Sequence, residues 1–326
     1  MPMTLAVWLC IFLTVITTAF YNIFLKQYKD RLVLLFWVEI FTYIWYLLAL
    51  FFKKHILGHD TSDTHKMIFD LTYTNLPLYL LMALCFVSSL IFLNHLLKKY
   101  EISLVIPLSQ ISLLIAASGY ILLGDPFQPA VLIGICIICF GAFLSSLTRF
   151  SLKDLNKISG KLILDMFLYA TLVALTLIIT YQTTQQTHQT QMIQQWFADS
   201  FKSLHTFHFY FYNPFYFNIG VRFFIMLFFI IAFYVFEKKT FKEPFIGLKK
   251  HPWFIIKTSL VYFASLISYY YAYNEMINKN ILSGLFKLTI PTILILSILI
   301  IKEKAHLPKI IGAIIIVLGG AIAVAL

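Results

Sequence analysis

Glu39, Arg222 and Lys287 are charged side chains that lie away from the ends of stretches apolar enough to cross a bilayer. A charge at that depth costs about 3 kcal/mol or more unless it faces a partner, a protein interior or a water-filled cavity. Lys287 stands one helical turn before Pro291, which has no N–H to give the Lys287 carbonyl, so charge and loose backbone polarity coincide at one turn. Together they make the chemistry of a binding site at membrane depth. Lys287 and Arg222 suit a carboxylate or phosphate, and Glu39 suits an ammonium or a coupling proton. A structural reading uses the same atoms: Glu39 paired with Lys287 or Arg222, merely neutralising buried charge.

Other polar residues within apolar runs extend this set. Ser103, Pro107, Gln110 and Ser118 recur at helical spacing and form one stripe, with Ser109 beside it. Tyr269, Tyr273 and Asn274 share a region with Tyr262, Tyr270 and Tyr271, where rings either sandwich a substrate or simply pack. His95, next to Asn94, suits proton coupling or a hydrogen-bonded structural role. Lys257 and Glu275 lie nearer the ends of their runs, where Lys257 can snorkel and Glu275 can cap. The expected substrate contacts are therefore Lys287, Glu39, Arg222, Gln110, Ser109, Tyr269, Tyr273 and Asn274, with Glu39 and His95 as coupling candidates.

The elements that must position these residues are membrane-spanning helices. With 60% hydrophobic and 12% charged residues among 326, the chain is not a water-soluble domain. Its net charge of +11 does not mark a nucleic-acid binder, because the lysines sit in short loops between apolar runs. All four cysteines, Cys10, Cys85, Cys136 and Cys139, lie within apolar runs, so no disulfide framework and no metal set is implied. His55, His59 and His65 share a polar loop with three aspartates, yet nothing in that loop enforces ligand geometry. A metal-dependent lipid enzyme built on them is the alternative class; its His95 would lie on the opposite face. No phosphate-cradling Gly-rich motif is present, and no cofactor and no enzymatic activity are expected.

Runs of about 20 residues, the length that spans ~30 Å of hydrocarbon, fall at 3–25, 31–52, 77–97, 102–122, 129–147, 160–181, 217–236, 253–277, 281–301 and 307–326. The first run lacks a basic leader and is too long for a signal core, so it reads as a retained span. Two longer loops, 53–75 and 182–216, interrupt the series, the second turning aromatic towards its end in the manner of an interfacial segment. Sliding the chain by 178 residues brings Asp125 onto Glu303, Gly134 onto Gly312, Gly141 onto Gly319 and Ser109 onto Lys287. The expected fold is all-α: two five-span halves, 1–150 and 151–326, whose odd span number makes the repeat inverted. The paired glycines would allow close helix approach.

Two five-span halves, each closing its fourth span with a small or basic residue plus an acid before a glycine-bearing fifth, resemble the drug/metabolite transporter superfamily, in its EamA-like ten-helix branch. The match is best around Pro291 and Glu303. Asp125 stands where a glutamate is usual, Pro107 lies early, and Lys302 replaces the usual glycine. The resemblance implies a carrier of amino acids, nucleotide sugars, sugar phosphates or drugs. A cavity holding both signs of charge points to amino acids or related zwitterions moved by alternating access; organic anions, sugar phosphates or nucleotide-linked metabolites are the second expectation. The partners expected are a small-molecule substrate and the lipid bilayer, with a homodimer as the candidate assembly and no nucleic acid. The loops after odd-numbered spans hold most of the basic residues, among them Lys26, Lys98, Arg149, Lys238, Lys250 and Lys302, against Lys53, Lys54, Lys66, Lys202 and Lys279 opposite. By the retention of basic loops in the cytoplasm, both termini lie outside it, in a bacterial inner membrane; relatives with cytoplasmic termini would give the reverse.

Overall fold

The computed structural model describes residues 4–28, 30–56, 76–100, 105, 109–125, 127–146, 160–184, 192, 214–235, 242–275, 279–302 and 306–325. Among them the chain is helical and carries no strand. In hydrocarbon a helix satisfies its own backbone, so apolar runs of this length have no other open form. The helices are α1 (Leu5–Gln27), α2 (Arg31–Ile56), α3 (Leu76–Lys99), α4 (Ile111–Leu122), α5 (Pro129–Ser146), α6 (Gly160–Thr184), α7 (Pro214–Val235), α8 (Lys242–Lys250), α9 (Pro252–Glu275), α10 (Lys279–Phe286), α11 (Thr289–Leu296) and α12 (Leu307–Ala325).

Among the described residues six stretches are long and apolar enough to cross a membrane: Leu5–Gln27, Arg31–Phe52, Leu78–Leu96, Gly160–Gln182, Asn218–Val235 and Ile281–Ile301. Shorter apolar helices cover Ile111–Leu122, Pro129–Ser145 and Leu307–Ala323. The 24-residue α9 carries Lys257, Thr258, Ser259, Ser265, Ser268 and five tyrosines, and falls outside those six. Polarity runs opposite to that of a soluble protein. Leu9, Phe12, Leu48, Phe140, Leu164, Leu168 and Leu318 are exposed, whereas Glu39, Arg222, Asn218, Thr42, Thr258 and Ser259 are buried. This is a helical integral membrane protein, with an apolar exterior for lipid and polar groups turned inward.

Hydroxyls inside the helices fold back onto their own backbones, as Thr17 does to the Leu13 carbonyl at 2.6 Å and Thr258 to Phe254 at 2.7 Å. Others cross between helices. Thr18 meets Ser265 at 2.6 Å, joining α1 to α9, and the Trp45 indole donates to Ser259 at 3.0 Å, joining α2 to α9. Such bonds supply cohesion that hydrophobic burial cannot, since lipid tails are as apolar as leucine.

Helix pairing follows a pattern. Helix α1 lies on α9 and α11, while α6 lies on α3 and α4; α2 lies on α9, while α7 lies on α3; α2 also meets α7, and α5 meets α12. The α5–α12 contact is the tightest. A Cβ on Gly134 would come within 2.7 Å of the Gly319 carbonyl oxygen, and one on Gly141 within 2.8 Å of the Gly312 oxygen. The two helices therefore cross antiparallel with backbones touching, a distance only glycine permits.

The run expected as a continuous span over 281–301 is broken. Helix α10 ends at Phe286, Lys287 and Leu288 form a turn, α11 begins at Thr289, and Ser297–Ile301 continues as a π-helical turn. Nor is the Lys287 carbonyl left loose by Pro291: Ile290 N–H donates to it at 3.0 Å. Tightening the turn to three residues reassigns the bond that proline removed.

Candidate functional site

The interior charges meet between α2 and α7. Asp30 caps α2, its carboxylate accepting Val33 N–H at 3.3 Å. On α2 the residues Glu39, Thr42 and Tyr46 recur three and four apart and so share one face. Asn218 and Arg222 do the same on α7. Arg222 Nη1 donates to Glu39 Oε2 as a direct ion pair, with both side chains at most 3% exposed. One turn back along α7 and two turns on along α2, Asn218 Nδ2 donates to the Tyr46 hydroxyl. The two bonds bracket Thr42, itself fully buried.

Aromatic rings close the pair from several helices. The Arg222 guanidinium lies 5.2 Å from the Phe86 ring centre on α3 and 5.2 Å from that of Tyr262 on α9. Its Nη2 donates to the Tyr262 hydroxyl at 3.2 Å. Tyr21 of α1 stacks on Tyr262 with centroids 4.5 Å apart, and Tyr270 lies within electrostatic reach of both charges. Planar guanidinium against ring faces is favourable, the more so where water is excluded. The arrangement is nonetheless incompletely satisfied. Glu39 Oε1, Thr42 Oγ1, Asn218 Oδ1 and Arg222 Nε are buried with no hydrogen-bond partner among the described residues. Those atoms offer acceptors and one charged donor along a single seam, which a zwitterion or ordered water would complete.

Lys287 belongs to a different group. It sits on the turn between α10 and α11, partly buried, and the titratable side chain whose field it feels is Cys139 of α5. Among the described residues it forms no ion pair. Cys139 Sγ donates to the Gln110 carbonyl at 3.5 Å, and Gln110 Nε2 donates to Ser109 Oγ at 3.1 Å. Ser109, Gln110 and Lys287 are thus brought to α5 together, whereas Glu39 and Arg222 neutralise each other elsewhere in the bundle.

The tyrosines divide between the two groups. Tyr269 packs on Phe286 at 4.7 Å and on Tyr273 at 5.7 Å, against the end of α10 that precedes Lys287. Near them Tyr120 stacks on Tyr181 at 5.0 Å, and the Tyr181 hydroxyl reaches buried Asp125 at 3.5 Å. Asn274 is on α9, and His95 is exposed on α3 with its ring 6.4 Å from Phe92. Pro107, Glu303, His59 and His65 lie outside the described residues, as does the side chain of His55.

Sequence reasoning passed over Thr42, Tyr46, Asn218, Tyr21 and Phe86. The first three carried a usable signal: Thr42 and Tyr46 follow Glu39 at helical spacing, and Asn218 precedes Arg222 by one turn. Tyr21 and Phe86 carried none, since only helix pairing brings α1 and α3 to the arginine.

No family model matches the chain, and no curated protein matches it. A solved structure described only as "Crystal structure of protein" superposes with a TM-score of 0.60 and 14% sequence identity, over 99% of this chain and 96% of that one. At that identity the likeness is one of fold, and it extends over the whole chain.

Proposed function

We propose that this chain is a membrane carrier for small polar metabolites, built as two inverted halves that rock about a central site. The observation that carries the proposal is a helix break that recurs 178 residues apart. Ser109–Gln110 and Lys287–Leu288 are both turns, opening α4 at Ile111 and α11 at Thr289. Ser112 N–H donates to the Ser109 carbonyl at 3.1 Å, as Ile290 N–H does to Lys287 at 3.0 Å. Gln110 and Leu288 share the same backbone, with ψ of −12° in each. The far ends match as well: Gly124 has φ 96° and Lys302, again 178 residues on, has φ 58°.

The pairing of helices supports the same two-fold. At this offset α2, α3, α4 and α5 correspond to α7, α9, α11 and α12, with α6 standing where α1 stands. Under that exchange α1–α9 becomes α6–α3, α1–α11 becomes α6–α4, and α2–α9 becomes α7–α3. Gly134 meets Gly319 while Gly141 meets Gly312, the reciprocal contact expected of a two-fold interface. Discontinuous helices with polar turns at the junction of inverted halves are where carriers hold their solutes. The drug/metabolite transporter superfamily, EamA-like branch, is the family this architecture resembles.

The solute class we propose first is an amino acid or related zwitterion, taken by the seam of Glu39, Thr42, Asn218 and Arg222. A second reading, an organic anion, is favoured by Lys287, whose charge no carboxylate among the described residues offsets. Reconstituted proteoliposomes offered a panel of labelled amino acids and organic acids test both. Lys287→Ala is expected to lower uptake roughly ten- to a hundredfold, the loss of one charge-assisted bond. Lys287→Arg recovers only part of it, because a planar fork on a longer reach replaces an ammonium. Uptake unchanged by Lys287→Ala would remove this lysine from the site.

A further inference from the structure

A cavity of about 900 Å³ opens between the end of α1, the start of α2, the end of α3, helix α8 and the start of α9. It lies on the lysine-rich face, apart from the Glu39–Arg222 seam. Helix α8 is held at its edge by the Trp37 indole, which donates to the Pro244 carbonyl at 2.7 Å. We infer that this cleft binds a small oxyanion, a carboxylate or phosphate group, through Arg31, Lys250 and Asn94.

Asn94 lines the cavity from α3 and is 8% exposed, yet its Nδ2 has no hydrogen-bond partner among the described residues. A buried amide donor without an acceptor is a standing cost that an oxygen ligand would remove. Arg31 opens α2 and Lys250 ends α8, and neither is in an ion pair among the described residues. The acids in the cleft are otherwise occupied. Asp30 spends its carboxylate on the α2 cap, and Glu243 sits in the first turn of α8, where the helix dipole favours it. What the cleft offers a ligand is thus three donors, Arg31, Lys250 and Asn94, two of them cationic, beside the carboxylates of Asp30 and Glu243.

One wall of the cleft is aromatic. Tyr28 stacks on Phe254 at 5.6 Å and meets the His251 ring edge-on at 5.7 Å. Burial and the Asp30 carboxylate raise the Tyr28 hydroxyl above the usual tyrosine range, which keeps it a donor. A flat face beside the donors suits a solute with an organic part attached to its oxyanion.

Two sources present such a group at this surface: a free solute and an anionic lipid headgroup. The test uses the purified full-length protein. Calorimetry with inorganic phosphate and with L-glutamate addresses the solute, and retention of phosphatidylglycerol from mixed phosphatidylglycerol/phosphatidylcholine nanodiscs addresses the lipid. Arg31→Gln with Lys250→Gln, both at helix ends, and Asn94→Ser are compared with wild type. Binding of phosphate or glutamate that the paired substitution weakens roughly tenfold or more, while Lys287→Ala leaves it unchanged, supports a solute site. Selective phosphatidylglycerol retention lost in the same variants supports a headgroup site. Binding that Lys287→Ala abolishes and the paired substitution spares would place the anion at the inner turn and overturn this inference while leaving the carrier reading intact. Absence of all three ligands from the wild-type protein overturns it as well.

Discussion

Glu39 and Arg222 show how a membrane interior makes one residue's chemistry depend on another's. A lone guanidinium there would be prohibitive, and pairing recovers the cost only through good geometry and further bonds, here Tyr262 and two ring faces. Removing one partner is worse than removing both. Arg222→Met alone is expected to cost about 3–5 kcal/mol by stranding the carboxylate, visible as a large drop in folded yield and melting temperature in detergent. Glu39→Met combined with Arg222→Met should restore much of that stability yet abolish specific uptake. If the double variant transports normally, the pair is structural alone.

At the scale of elements, helix breaks and helix crossings matter more than helix length. Lys302 occupies a left-handed conformation with φ 58°, and 178 residues earlier Gly124 has φ 96°. A side chain there is strained by about 1 kcal/mol or more. Lys302→Gly should therefore raise thermal stability, and Gly124→Ala should lower it by a similar amount; the opposite signs in a melting curve would refute the assignment. The α5–α12 crossing predicts a harsher outcome. Gly141→Val would drive a branched side chain into the Gly312 carbonyl and Ile316 N, so loss of monodisperse protein in size-exclusion chromatography is expected. Neither helix has room to yield, because each backbone is already the other's contact surface.

For the whole molecule, orientation rests on the distribution of lysine and arginine. Reporter fusions at Thr187 and Leu326 should read as non-cytoplasmic and one at Lys249 as cytoplasmic. The reverse pattern would defeat the charge-based orientation without touching the proposal of two inverted halves, since that proposal needs only five spans in each. The cleft between α1, α3, α8 and α9 opens on the face that carries Lys249, so the fusions also assign the compartment from which that cleft is filled.

Class and approximate span positions were legible in the sequence because they depend on composition and length alone: twenty apolar residues must cross a bilayer or find another apolar home. The four glycines that let α5 and α12 touch were legible too, since a 178-residue offset aligns them without any coordinates. Partner choice was not. Glu39 stood as ready to meet Lys287 as Arg222, and only tertiary structure brought it to α7 while seating Lys287 beside Cys139 on a separate turn. The physical reason is that spacing along a helix sets which residues share a face, whereas which face meets which is decided by crossings between helices far apart in the chain. The break at Lys287 follows the same division: Pro291 announced a lost hydrogen bond, and the fold determined that a tightened turn would take it up.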